Sequence, residues 1–314
     1  MSTPRVRVWR PGWPCPVAQT LRIVRRGGAD PTYRTTADGA IWRGIGTPEG
    51  PATLRLLPRP HTGDVLGHAW GSGATWALEQ MPAMLGADDD PSGFEPRHPV
   101  LEQAWRRHSH WRLTRTGRVM EALTPAIIEQ KVTGQEALAG FRTLVFRYGA
   151  RAPESDHQVK LWVQPSAETI RMVPSWAWLQ MHIDPARSRA LVSAARYAGN
   201  LERTMEMGAD GSAEADRRMR ALPGIGVWTS AEVRFRAFGD ADAVSFGDYH
   251  VGKNIFYALT GEVVDDDERL AELLEPWRPH RYRVQRLLEL ARIARPRHGP
   301  RMAPRTHLPG RAHR

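Results

Sequence analysis

The feature that most constrains this fold is a change of hydrophobic period partway along the chain. From Val6 to about Gly73 the pattern is that of strands: Val6 and Val8 alternate with arginines, as do Leu21 and Ile23, while Ile41-Trp42 and Leu54-Arg55-Leu56 flank a Gly/Pro turn. Residues 74–85 read as a helix closing the sheet, and Gly86-Ala-Asp-Asp-Asp-Pro-Ser-Gly93 has the composition of a loop. Beyond it the period is helical and stays so. Strands followed by a run of helices predict an α+β chain. The expected organisation is an amino-terminal antiparallel β-sheet domain over residues 1–93, a helical domain over 94–294 and a tail over 295–314. The tail is Pro, Gly, Arg and His with hardly an apolar residue, so a disordered basic segment is expected there.

Within the helical part, His98 to His110 reads as one helix, and Thr124-Pro125 as the cap and first turn of another. Thr133-Gly-Gln-Glu136 has capping-box spacing; Leu138, Phe141, Leu144 and Val145 follow on one face, and Gly149 suits the far end. Pro165-Ser-Ala-Glu and the stretch 186–198 continue the helical pattern.

Forty-four Lys and Arg against 34 Asp and Glu give a net charge of +10 and a pI near 10.5, which favours a polyanionic partner, nucleic acid first. A merely soluble basic surface is the plainer alternative, because part of the excess lies in the tail. One cysteine, Cys15, excludes an internal disulfide, a cysteine-rich zinc site and a four-cysteine iron–sulfur cluster, and implies a reducing compartment. No metal and no cofactor are expected. No apolar run is long enough to cross a bilayer, and prolines 11, 14 and 16 interrupt the first residues, so a cytoplasmic location is expected.

The most informative segment is Met219-Arg-Ala-Leu-Pro-Gly-Ile-Gly-Val-Trp-Thr-Ser-Ala231, where one helix ends at a tight Gly224-Ile-Gly226 turn and another begins. Two glycines one residue apart leave backbone amides unshielded at the positive end of the second helix. Those amides can cradle a phosphate without reading sequence, while Ile225 packs inward. An ordinary helical hairpin with a glycine turn is the bland reading of the same residues. The second helix runs to Phe238, Gly239 ends it, and Asp240-Ala-Asp-Ala-Val-Ser-Phe-Gly leads to Asp248 before a helix over 249–259. An isolated aspartate there is a helix cap.

The hairpin Leu222-Pro-Gly-Ile-Gly-Val-Trp-Thr-Ser230 and the loop Val244-Ser-Phe-Gly-Asp-Tyr-His250 together resemble the helix-hairpin-helix DNA glycosylases. Within that superfamily, Trp228 after the hairpin and Pro276-Trp-Arg-Pro-His-Arg-Tyr282 make the chain similar to the 3-methyladenine DNA glycosylase II enzymes. The match runs with gaps from Pro99 to Leu290. It implies an amino-terminal sheet, two helical lobes with a cleft between them, and a monomer that acts on damaged double-stranded DNA at the nucleoid. It further implies base excision repair: a damaged base, best an alkylated purine, is flipped out and its N-glycosidic bond hydrolysed, with Asp248 as the catalytic carboxylate. Leu222, Pro223, Gly224, Ile225, Gly226 and Thr229 would form the phosphate-binding hairpin. Trp228, Trp277, His280 and Tyr249 would line the base pocket, and Gln130 and Lys131 the wedge.

Strand-nicking relatives place a nucleophilic lysine where this chain has Trp228, so a monofunctional hydrolase is implied. Two positions depart from the alkylation enzyme. Lys131 replaces the leucine of its wedge, and His280 replaces the second tryptophan of its Trp-x-Pro-Trp segment. A glycosylase for oxidised or deaminated purines, or a silent DNA-binding protein, are the competing readings. Trp176 and Trp178 read as core, His108 and His110 as surface residues, and Arg217, Arg218 and Arg220 as either phosphate contacts or a solvated helix face.

Overall fold

The computed structural model describes residues 3–153 and 159–296. Five strands form one antiparallel sheet: β1 (Arg5–Trp9), β2 (Tyr33–Thr35), β3 (Ile41–Thr47), β4 (Gly50–Arg59) and β5 (Asp64–Trp70), in the spatial order β1-β5-β4-β3-β2. The β3–β4 register sets Ile41 opposite Leu56 and Thr47 opposite Gly50. One face buries Ile41, Ile45, Leu54, Leu56, Val65 and Ala69 beneath three short helices, α1 (Val17–Leu21), α2 (Ala74–Glu79) and α3 (Met81–Met84).

Two expectations for this part are corrected. Leu21 and Ile23 do not alternate in a strand: Val17, Thr20 and Leu21 share the buried face of α1, the i, i+3, i+4 spacing of a helix, and Arg22–Val24 continues it as a 3₁₀ turn. Residues 74–85 form two helices rather than one, with Pro82 in the first turn of the second.

Among the described residues twelve further α-helices follow: α4 (Pro99–His108), α5 (Val119–Ile128), α6 (Gly134–Tyr148), α7 (Ala167–Met172), α8 (Ser175–Gln180), α9 (Pro185–Arg196), α10 (Ala198–Glu202), α11 (Gly211–Arg220), α12 (Val227–Val233), α13 (Val251–Thr260), α14 (Asp267–Leu274) and α15 (Arg281–Leu290). Between α6 and α7 the two-residue strands β6 (Ala150–Arg151) and β7 (Trp162–Val163) pair. This ribbon lies on the other face of the sheet. A Cβ on Gly44 of β3 would meet the Trp162 carbonyl oxygen at 2.2 Å, so only glycine permits the approach. Leu161 packs there with the stacked Trp42 and Trp70. On the first face the buried Arg43 pairs with Glu121 of α5, joining sheet and helices.

Besides a smaller cluster around Phe235 and Tyr282, the helices build two cores. One gathers α5, α6, α9 and α11 with Val233 at the end of α12; the other gathers α4, α13, α14 and α15. The capping box at Thr133 and Glu136 forms, and Phe141, Leu144 and Val145 are buried. Gly149 caps the helix with extended backbone rather than a left-handed turn. Thr124 is not a cap. Helix α5 begins at Val119, and its first N–H groups, those of Val119 and Met120, donate to the Glu202 carboxylate at 3.1 and 2.9 Å. A side chain 83 residues away thus does the capping that Thr124 was expected to do, and Pro125 sits inside the helix. Trp178 is buried, but Trp176 is 64% exposed. His110 is exposed, whereas His108 is half-buried with Nδ1 2.7 Å from Gln19 Nε2. Apart from Arg295 and Pro296, the expected disordered tail lies outside the described residues.

Candidate active site and nucleic-acid interface

The hairpin joins α11 to α12. Leu222 and Ile225 are buried in the first helical core, while Pro223, Gly224 and Gly226 are exposed. Gly224 has φ +85°, a conformation that L side chains rarely adopt, and a Cβ there would also sit 3.1 Å from Ala190 Cβ. Gly226 precedes α12 with open space where its Cβ would be. The first-turn N–H groups of α12 have no intrahelical acceptor, and Gly226 and Val227 at its start are exposed. The preceding arginines are engaged on their own helix: Arg217 and Arg218 pair with Glu214 at 2.6 and 2.7 Å, and Arg220 with Asp216 at 3.4 Å. That pairing fits the solvated-face reading.

Gln130 reaches this hairpin. Its Nε2 donates to the Gly224 carbonyl at 2.9 Å and to Thr229 Oγ1 at 2.8 Å. Thr229 is 2% exposed, so its hydroxyl is turned to Gln130 and not to solvent. The neighbouring Lys131 is exposed and has φ +54°, rare for a residue with a side chain. It stands at the tip of the turn between α5 and α6, which Gln130 braces against the hairpin.

Asp248 lies in the loop that leaves α12 and enters α13, and so passes from the first helical core to the second. Its Oδ1 accepts from the N–H groups of His250 and Val251 at 2.8 and 3.0 Å, the cap expected of it. Its Oδ2 accepts from Trp228 Nε1 at 3.1 Å. Gly247, at φ +81°, makes the turn that brings the carboxylate to the indole, with its Cβ direction 3.9 Å from Trp228 Cβ. Three N–H donors therefore orient one half-buried carboxylate.

The other expected pocket residues make contacts of their own. Trp277 Nε1 donates to the Glu95 carbonyl at 3.1 Å, and His280 stands edge-on to Phe94 with ring centroids 6.0 Å apart. Burial, with Arg283 beside it, holds the His280 imidazole below its usual range and hence neutral at neutral pH. Tyr249 is 69% exposed, its ring edge-on to His250 and under the Lys253 ammonium at 4.0 Å. Among the described residues, no hydrogen bond or ring contact joins Trp277, His280 or Tyr249 to Trp228 or to the Asp248 carboxylate.

The structure adds residues that sequence reasoning passed over. Glu232, one turn after Trp228 on α12, is 7% exposed and accepts from Ser245 Oγ at 2.9 Å and Arg236 Nη1 at 2.6 Å. Gln285 of α15 holds the same serine from the other side. Glu129, next to Gln130, pairs with the buried Arg26 at 2.9 Å. The i, i+4 spacing of Trp228 and Glu232 was the available signal. Among the described residues, no group of three His, Cys, Asp or Glu side chains is placed to hold a metal, and no helix is long and apolar enough to cross a membrane.

No known protein-family model matches the chain. A curated protein of Mycobacterium tuberculosis, described as a probable bifunctional transcriptional activator/DNA repair enzyme AlkA, is 25% identical over 224 residues, 70% of this chain and 44% of its own length. The chain thus spans under half of that relative. Among solved structures, the 3-methyladenine DNA glycosylase of Archaeoglobus fulgidus superimposes with a TM-score of 0.76 over 91% of this chain and 98% of its own, at 16% identity. The 8-oxoguanine glycosylase/lyase of Clostridium acetobutylicum, in complex with double-stranded DNA, superimposes with a TM-score of 0.69 over 93% and 98%, at 11% identity. In its sheet, its helical core and its order of hairpin, loop and Asp248, the chain has the fold of the helix-hairpin-helix DNA glycosylases and resembles the AlkA-like members among them.

Proposed function

We propose that the protein is a monofunctional DNA glycosylase of base excision repair that hydrolyses the N-glycosidic bond of an alkylated purine. The observation that carries the proposal is the Asp248 carboxylate, oriented by three N–H donors at the junction of the two helical cores and tied through Trp228 to the hairpin helix. A base within the duplex shields its own sugar, so the nucleotide must first be extruded, at a cost of a few kcal/mol that a damaged base lowers. The hairpin amides grip the backbone without reading sequence. Lys131, on its braced turn, fills the space the base leaves, more by its stem than by stacking.

As the bond to the base breaks, C1′ gains positive charge. A fixed carboxylate stabilises that charge and orients the attacking water without reorganising during the reaction. A purine alkylated at N3 or N7 is already cationic and leaves without prior protonation, so one carboxylate suffices. Its charge also favours an aromatic face, which Trp228 offers next to Asp248. The enzyme acts as a monomer on damaged double-stranded DNA. Incubation with methylated duplex DNA, with free bases measured by chromatography, tests the reading: released 3-methyladenine or 7-methylguanine supports it, and no release from any methylated duplex overturns it.

A further inference from the structure

We propose that Glu232 is a positioning residue for Asp248, acting through the hydroxyl of Ser245. The inference rests on Asp248 as the catalytic carboxylate. Ser245 is fixed at three atoms: its hydroxyl donates to Glu232 Oε1 at 2.9 Å and accepts from Gln285 Nε2 at 3.2 Å, its N–H donates to Gln285 Oε1 at 3.1 Å, and its carbonyl accepts the Asp248 N–H at 3.2 Å. The serine is 1% exposed. Asp248 is therefore the fourth residue of a turn whose first residue is clamped.

Trp228 and Glu232 stand one turn apart on the same side of α12. The first holds position 248 of the turn and the second position 245. One helix face thus grips both ends of the segment that carries the carboxylate. Glu232 is itself anchored, for Arg236 Nη1 donates to its Oε2 at 2.6 Å and Arg236 Nε donates to the Ile23 carbonyl at 3.1 Å. The Glu232–Arg236 pair alone would be an ordinary buried ion pair. What distinguishes it is the second oxygen, spent on the Asp248 turn rather than on another charge. A displacement of about 1 Å at a reacting group can cost about 100-fold in rate, so a clamp on this turn bears directly on the chemistry.

The test uses the full chain and Ser245→Ala, which cuts the link while leaving Glu232 paired with Arg236. Base release from methylated DNA under single-turnover conditions is expected to slow by about 10- to 100-fold. Affinity for a duplex carrying a tetrahydrofuran abasic analogue should stay within about threefold, since the hairpin is untouched. Glu232→Gln, which keeps an acceptor oxygen, should slow release less, and adding it to Ser245→Ala should cause no further loss. A readout independent of activity is the Trp228 indole N–H resonance, assigned by its disappearance in Trp228→Phe. In Ser245→Ala it should move toward the position of a solvent-exposed indole, because its acceptor is no longer held in place.

A wild-type rate with an unmoved indole resonance in Ser245→Ala would overturn the proposal, as would losses that multiply in the double variant. If the wild-type protein releases no base, the glycosylase reading fails separately, and the indole resonance still decides whether Ser245 holds Asp248.

Discussion

The indole N–H of Trp228 donates to Asp248 Oδ2 at 3.1 Å, so the helix that follows the hairpin turn, the proposed phosphate grip, also holds the carboxylate proposed for catalysis. Trp228→Phe keeps an aromatic face and removes this one bond. Hydrogen bonds to charged groups contribute about 1.5–3 kcal/mol, so a loss of about 10- to 100-fold in single-turnover base release is expected, with binding to abasic-analogue DNA preserved. An unchanged rate in Trp228→Phe would show that the bond is not needed.

Asp248→Asn is expected to lower base release by at least about 100-fold while lesion-containing DNA still binds. The amide oxygen can go on accepting from His250 and Val251, so the start of α13 is retained. The charge facing C1′ is lost, and the amide NH₂ is set against the Trp228 N–H, donor against donor. Thermal melting should accompany the kinetics. Wild-type turnover in a folded variant would remove Asp248 from the mechanism.

The two hairpin glycines make different experiments. Gly224 adopts φ +85° and would crowd Ala190, so a side chain there strains the fold before any DNA arrives. Gly226 has φ −103° and open space at its Cβ position. Gly226→Val should therefore melt near the wild-type temperature and bind all duplex sequences more weakly by a similar factor, as phosphate contact demands. Weakening confined to one sequence would show that the hairpin reads bases.

Borohydride should trap no covalent protein–DNA adduct, and the product strand should remain intact at the abasic site. On the resemblance to the helix-hairpin-helix glycosylases, Trp228 takes the position of the strand-nicking lysine. Lys253 is buried and bound to Asp265 at 2.7 Å, with its ammonium over Tyr249, which keeps it from acting as a free amine. Lys131 is exposed on the turn between α5 and α6 and is the control to mutate. A trapped complex that disappears in Lys131→Ala would make the enzyme bifunctional and Lys131 its nucleophile.

The elements that were legible in the sequence are those whose stabilising partners are local. The capping box of α6 lies within four residues, the π-helical turn Arg234–Phe238 that continues α12 ends at Gly239, and the hairpin needs only its glycines and the inward packing of Leu222 and Ile225. Helix α5 was misplaced because its cap is the Glu202 carboxylate, far along the chain. The ribbon at Trp162 was missed because two residues carry no period, and only Gly44 across the sheet permits its approach.

The candidate site divides in the same way. By itself the sequence determined the chain order of hairpin, loop and Asp248, the tryptophan at position 228 and the period change that separates sheet from helices. Those follow from residue type and short spacing, which set backbone conformation and available chemistry. Only the tertiary structure decided that Gln130 braces the hairpin, that Trp277 and His280 are joined to Glu95 and Phe94 rather than to Asp248, and that Glu232 and Gln285 meet at Ser245. Each of these is a bond between segments that are distant in sequence. Its existence depends on how two packed helical cores meet, and no local pattern of residues records that.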